Sequence, residues 1–272
     1  LTKLKLRQAA TLVLLAFACV SAVAQNTIYL LGEVHDNPKA HAQRFAFIEA
    51  LLIKGFKPAI AMEQFDRDQQ DVLDHALASC QDADCVIRAA GGKGWNWDFY
   101  KPVIEIALKR QLRIVAANLS LADAMKIARA GLGAALSRET LHEFKLDLPL
   151  DSELFEKQKE AIDIGHCRML PAAAFKGMVD AQVARDVWMA KTIQENAAQG
   201  LILLAGNGHV RKDIGVYRWL SNAERVRTQT FGYTEDKADV ADTSVFDREI
   251  RIEPFERSDP CAAFARRAHI QT

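Results

Sequence analysis

The run Leu201-Ile202-Leu203-Leu204-Ala205 stops abruptly at Gly206-Asn207-Gly208, and His209 and Arg211 follow at once. So short a run without polar alternation reads as a strand buried on both faces, hence a central strand of a parallel sheet. Glycines at 206 and 208 permit a sharp turn where a Cβ would clash, so His209 is expected to emerge at the carboxyl end of that strand. In open α/β sheets this rim is where ligands bind.

The same grammar occurs three more times. Thr27 to Leu31 leads into Gly32-Glu33-Val34-His35-Asp36-Asn37-Pro38 and then a helix carrying His41; Pro58 to Met62 runs into Glu63; Leu112 to Ala117 ends at Asn118. If the four runs are parallel neighbours, Glu33, His35, Glu63, Asn118 and His209 converge on one rim. The expected fold class is α/β, a central mostly parallel sheet flanked by helices, with a smaller helical insertion capping the carboxyl rim.

The 272 residues, half of them hydrophobic, suffice for one substantial core. Lys+Arg and Asp+Glu balance at 35 each, and no basic run is present, so nothing points to nucleic acid. No internal repeat divides the chain.

Lys3, Lys5 and Arg7 form a positive start before the apolar Ala9 to Val20, and Ala22-Val23-Ala24 offers small residues for cleavage. Residues 1–24 are therefore expected to be a signal peptide and 25–272 a single α/β domain. A second reading makes Cys19 a lipidated cysteine after Ala16-Phe17-Ala18; the bulk of Phe17 favours plain cleavage. Either way export is expected, to the periplasm or the outer membrane. In that oxidising setting Cys80, Cys85, Cys167 and Cys261 form an even set. Pairing Cys80 with Cys85 leaves Cys167 for Cys261; the other two pairings stay open.

Lys39 to Lys54 has helical spacing at Phe45, Ile48, Leu51 and Leu52, closed by Gly55. A polar helix is expected from Asp66 to Ser79, and others at Ile104 to Arg110 and Leu121 to Ala130. Between them Gly91-Gly92-Lys93-Gly94 runs into Trp95, Trp97, Phe99 and Tyr100. This segment is either a plug over the core or an aromatic wall for a flat ligand.

Residues 132–170 break the strand–helix alternation and read as the helical insertion. Beyond Pro171, Phe175, Met178, Val179, Met189, Ala190 and Ile193 define a buried stripe, and Gln182 and Asp186 fall on it. Buried polar groups need partners. Either these two bond nearby groups, or they reach the rim and orient His209 or His35. A helix from Lys212 to Ser221 and edge strands at Arg225 to Phe231 and Val245 to Ile252 complete the expected order.

Glu33, His35, Glu63 and His209 make a mixed nitrogen–oxygen set suited to zinc, manganese or iron. His75, His142 and His269 sit in polar surroundings and read as surface residues. No Gly-x-Ser-x-Gly elbow and no phosphate-binding loop occurs.

At these residues the chain resembles the ChaN-like haem-binding lipoprotein family, within the wider Tiki/TraB/erythromycin-esterase grouping. The likeness rests on Leu31-Gly32-Glu33-Val34-His35-Asp36 with His41, on Ala61-Met62-Glu63, and on Trp95, Trp97, Tyr100 and Pro102. Met169-Leu170-Pro171, Gln182, Arg185-Asp186, Met189-Ala190 and Gly206 to Arg211 complete it. The resemblance implies haem binding for iron uptake, a possible homodimer, and an outer-membrane receptor or uptake system as partner. Haem would be held non-covalently, since no Cys-x-x-Cys-His occurs.

The family's ligand is described as a tyrosine assisted by histidine. The tyrosines here are Tyr29, Tyr100, Tyr217 and Tyr233, none between Leu132 and Pro171. Tyr100, His35, His41, Gln182, Asp186, His209 and Arg211 are the expected cofactor contacts; His166, with Met169 beside it, is an alternative axial ligand or a plain turn histidine. Hydrolases in the wider grouping give the alternative function, with Glu33 or Glu63 as general base and His35 and His209 binding metal or an oxyanion.

Overall fold

The computed structural model describes residues 26–235, 245–259 and 261–262. The expected leader with Cys19, and His269, lie outside them. Chain order is β1 (Ile28–Leu31), α1 (Pro38–Ile53), β2 (Ala59–Asp66), α2 (Gln70–Ser79), α3 (Ala83–Ala90), α4 (Lys101–Arg110), β3 (Ile114–Asn118) and α5 (Leu121–Ala130). Then come α6 (Arg138–Glu143), α7 (Ser152–Gly165), α8 (Phe175–Asn196), β4 (Leu201–Leu204), α9 (Asn207–Val210), α10 (Asn222–Arg225), β5 (Thr228–Glu235) and β6 (Arg248–Ile252).

The six strands form one sheet in the order β3-β2-β4-β1-β5-β6, every neighbouring pair parallel. The four apolar runs are thus contiguous, as expected. Side chains alternate across it. Leu201 and Leu203 face a core shared with α5, α8 and Leu136, Phe144 and Leu146 of the insertion. Ile202 and Leu204 face a second core with α1, α2 and α4. Each such fully buried aliphatic side chain contributes about 1.5–3 kcal/mol.

Register positions the site. Leu31 pairs with Leu204 and Leu204 with Met62, while Leu31 also pairs with Phe231. The residues that follow, Gly32-Glu33, Ala205-Gly206 and Glu63-Gln64, therefore leave the sheet at one level. The Asn207 amide donates to the Glu33 carbonyl at 3.0 Å and ties two of these exits together.

Four expectations change. Gly206 has φ −57° and neither it nor Gly208 is left-handed, so the glycines are not there to make a turn. Gly206 is required for approach: a Cβ on it would lie 2.9 Å from His35 Nε2. The buried stripe of α1 is His41, Arg44, Ile48 and Leu52, with Phe45 and Leu51 only half-buried. Residues 212–221 form one short 3-10 turn, Val216–Trp219, because the chain folds back at Gly215, where a Cβ would sit 2.1 Å from the His209 carbonyl. Finally, of the two strands expected at edges, β6 lies at one, the other edge being β3, whereas β5 is interior. Thr230 can be buried there because Asp247 accepts from both its amide, at 2.9 Å, and its hydroxyl, at 3.2 Å.

Both cysteine pairs form as the simplest pairing has it, Cys80–Cys85 and Cys167–Cys261. The second draws the C-terminal segment back to the turn after α7. No helix among the described residues is long and apolar enough to cross a membrane.

Candidate functional site

Two acid–histidine clusters stand side by side at the carboxyl rim. The first is built on the exit of β1 and the first turns of α1. Asn37 caps that helix, its side chain accepting from the amides of Lys39 and Ala40, with Pro38 in the first turn. The cap fixes where His41 and Arg44 point, which is inward.

Glu33 is buried and accepts on both carboxylate oxygens. It accepts from Arg44 Nη1, from the Tyr100 hydroxyl at 2.5 Å, from His35 Nδ1 at 2.7 Å and weakly from Gln64 Nε2 at 3.4 Å. Arg44, also buried, turns its other arm to His41 Nδ1 at 3.1 Å, while His41 Nε2 lies 3.0 Å from the His35 carbonyl. A guanidinium only donates, so His41 carries its proton on Nε2 and is neutral. Burial lowers its pKa accordingly. Burial also lowers Arg44 to about 10 and pushes the Tyr100 phenol up.

The second cluster joins β2, α8 and the exit of β4. His209 lies between Asp186, whose Oδ1 is 2.6 Å from Nδ1, and Glu63, whose Oε1 is 3.5 Å from Nε2. Glu63 Oε2 accepts the Gly206 amide at 2.7 Å, and Gln158 of α7 donates to Asp186 at 3.1 Å. The Gln182 amide lies 3.3 Å from both ring nitrogens. Burial alone would lower His209, but the two carboxylates outweigh it and hold the pKa up at about 10. Burial would raise Glu63, yet the charge and hydrogen bond of His209, the nearby His35 and the Gly206 amide bring it down to about 2. Asp186 is raised, by burial. Two carboxylates flanking one ring favour the protonated imidazole, with a carboxylate oxygen facing each of its nitrogens.

Between the clusters opens a cavity of about 730 Å³, walled by His35, Glu63, Gln64, Asn118 and Arg185, by Trp95 and Phe99, and by Phe255. His35 is the imidazole that reaches it: its side chain is 48% exposed, and Trp95 packs edge-on at 5.1 Å. Since a carboxylate only accepts, Nδ1 carries the proton shared with Glu33, so in the neutral ring the lone pair is on Nε2. That atom can bind a metal or take a proton. A larger hollow of about 930 Å³ between α2 and α4 holds none of the candidate residues.

The aromatics after the glycine loop divide between core and cavity. Trp97 packs on Phe65 at 5.1 Å, whereas Trp95 and Phe99 face the cavity. Gln182 and Asp186 do reach the rim, at His209. Glu33, His35, Glu63, Asn118 and His209 converge there too, but the expected four-ligand metal set is not assembled. His209 faces Asp186 and Glu63, Glu33 is taken up by Arg44 and Tyr100, and among the described residues no group of three or more His, Cys, Asp or Glu is arranged to hold a metal. Of the two glutamates, Glu63 lines the cavity, its carboxyl held well below the usual range by His209 and the Gly206 amide, whereas Glu33 does not line it.

Other expected residues lie elsewhere. Arg211 forms a bidentate pair with Asp213, at 2.9 and 2.8 Å. His166 Nδ1 donates to the Ile162 carbonyl at 2.7 Å at the end of α7, Met169 is 46% exposed, and neither lines the cavity. Tyr100 and His41 are buried beneath the rim. Sequence reasoning missed Arg44, Gln64, Gln158 and Phe255, and named Arg185 only within a motif. Arg44 had a signal, since it follows His41 by one helical turn on a stripe that continues to Ile48.

The fold is a parallel α/β domain with a cavity at the strands' carboxyl ends. The family described as haem-binding uptake, Tiki superfamily, ChaN matches residues 19–220, and the chain belongs to that family. Among solved structures, ChaN of Campylobacter jejuni, described with cofacial haem binding, superposes with a TM-score of 0.63 at 19% identity, covering 81% of this chain and 86% of that one. A mutant of the erythromycin esterase EreC in its open conformation aligns over 80% and 72% of the two chains, at 16% identity and a TM-score of 0.47. No curated protein matches by sequence.

Proposed function

We propose that this protein binds haem non-covalently in the rim cavity, with His35 Nε2 as axial ligand, and serves haem-iron uptake outside the cytoplasm. The observation that carries this is His35 itself, an exposed imidazole whose other nitrogen is fixed by Glu33. A carboxylate on the far nitrogen sets the tautomer and orients the ring, which is how proteins prepare a histidine for iron. The cavity fits a flat apolar ligand: Trp95, Phe99 and Phe255 offer ring faces and edges, and 730 Å³ is within the usual size of a cofactor site. Tyr100, with its hydroxyl on Glu33, helps hold that carboxylate against His35.

Two disulfides support residence in an oxidising compartment, the periplasm or the periplasmic face of the outer membrane. Cleavage after residue 24, or lipidation at Cys19, and hand-over to an uptake system belong to the same reading. Leu121, 68% exposed, and Phe255 leave apolar surface at the cavity mouth that a second copy would cover. Haemin titration followed by absorbance tests the binding. A saturable shifted Soret band is expected, and its loss in His35→Ala assigns the ligand.

The same Glu33–His35 pair supports a second reading, a hydrolase in which His35 takes the proton of an attacking water. Ester turnover that disappears in His35→Ala, with no haemin band in the parent, would favour it.

A further inference from the structure

Arg185 stands out on α8. It lines the rim cavity, its Nε is buried without a partner, and it makes no hydrogen bond or ion pair among the described residues. A guanidinium is costly to hold near the interior unless something anionic compensates it. The acids that share the cavity are otherwise engaged or too far to pair. Asp36 is bound by Arg257 at 2.8 Å and Glu63 by His209. Asp66 senses the charge of Arg185 without forming an ion pair with it.

Two more buried polar groups of the same cavity lack partners. Asn118, at the end of β3 and only 7% exposed, has an orphaned Oδ1; Gln64, on β2 and 1% exposed, has an orphaned Oε1. Buried polar atoms are nearly always paired, so three orphans around one cavity mark where a ligand supplies the missing bonds. Asn118 has no side-chain bond to lose, so its amide can turn NH₂ toward an anion beside Arg185. Gln64 already holds Glu33 by its nitrogen, which leaves its oxygen free to accept, directly or through a bridging water.

We propose that Arg185 and Asn118, with Gln64 behind them, form a carboxylate subsite of the rim cavity. It rests on the haem reading above and specifies the ligand: the subsite takes a propionate, so the protein selects acidic porphyrins over their esters. Arg suits this because its planar fork matches a carboxylate.

The test is titration of the parent, Arg185→Ala and Asn118→Ala with haemin and with haemin dimethyl ester in one solvent, read by absorbance. The parent should prefer haemin by about ten- to a hundredfold, the range expected for charged hydrogen bonds. Arg185→Ala should lose that preference by weakening haemin alone, with ester binding unchanged. Asn118→Ala should do the same to a lesser degree. No preference in the parent, or equal weakening of both ligands in Arg185→Ala, would overturn the subsite and leave Arg185 to balance Asp66.

Metal-free protoporphyrin and its dimethyl ester, read by fluorescence, repeat the comparison without iron. Preference for the free acid there, with no haemin Soret shift, would retain the subsite while refuting His35 ligation. Binding of no porphyrin at all would refute both.

Discussion

His35 Nδ1 lies 2.7 Å from Glu33 Oε1, two residues back along the exit from β1, and this contact decides which ring nitrogen faces the cavity. Because the bond is local, it depends on the backbone that Gly32 and Asn37 shape, not on a distant loop. Gly206, opposite, leaves room for the ring.

Gly206→Ala should therefore displace His35 without removing it. The added Cβ would lie 2.9 Å from Nε2 and 3.8 Å from Glu63 Oε2. A fold weakened by about 1–3 kcal/mol, with haemin affinity at least tenfold lower, is the expected result; thermal unfolding and titration measure both.

Arg44 should matter mostly for stability. Removing one partner of a buried ion pair costs about 3–5 kcal/mol, so Arg44→Met alone should unfold well below the parent. Glu33→Gln on top of it should recover part of the loss. Additive losses in this double-mutant cycle would mean that the two groups are not coupled.

The His209 cluster sets the pH range of stability. With a pKa raised from 6.5 to about 10, His209 contributes fully below pH 6.5, and that contribution is lost as pH rises through about 10. Glu63, depressed from 4.5 to about 2, contributes above pH 4.5, and that is lost as pH falls toward 2. Asp186, raised by burial, works against Glu63 on the acid side. Thermal midpoints measured from pH 3 to 10 should flatten on the alkaline side in His209→Gln and on the acid side in Glu63→Gln.

The C-terminal strap should respond to reduction. Asn37 donates to the Glu253 carbonyl at 3.0 Å, the Phe255 amide to Glu235 at 3.2 Å, and Arg257 pairs with Glu235 and Asp36. The Cys167–Cys261 bond closes a span of 94 residues, against 5 for Cys80–Cys85. Cys261→Ser should cost about 2–4 kcal/mol, speed amide exchange at Phe255 and hasten haemin loss. Unchanged exchange at Phe255 would mean that the noncovalent contacts hold the strap unaided.

How far the sequence reveals this site depends on the kind of contact. Buried parallel strands are near-continuous apolar runs, so β1, β2, β3 and β4 and the polar groups at their ends could be read directly. Gln182 and Asp186 betrayed themselves as polar residues on a core stripe. Arg44 did the opposite of what charge predicts: it is buried because Glu33 neutralises it, and the partner lies 11 residues away across a turn. Thr230 misled in the same way, since Asp247 satisfies it from the neighbouring strand connection. Phe255 belongs to a segment without periodicity, placed by one disulfide and a few ion pairs, and no local pattern announces it. The glycines were noticed for the wrong reason, close approach and conformational freedom being indistinguishable in sequence.

The central claim is that His35 binds haem iron. The most direct measurement is the absorbance spectrum of the purified protein during haemin titration, beside His35→Ala and His166→Ala. A saturable Soret shift that survives in His166→Ala and is lost or displaced in His35→Ala is the expected result. An identical spectrum in the parent and His35→Ala, or no saturable shift in the parent, would contradict it.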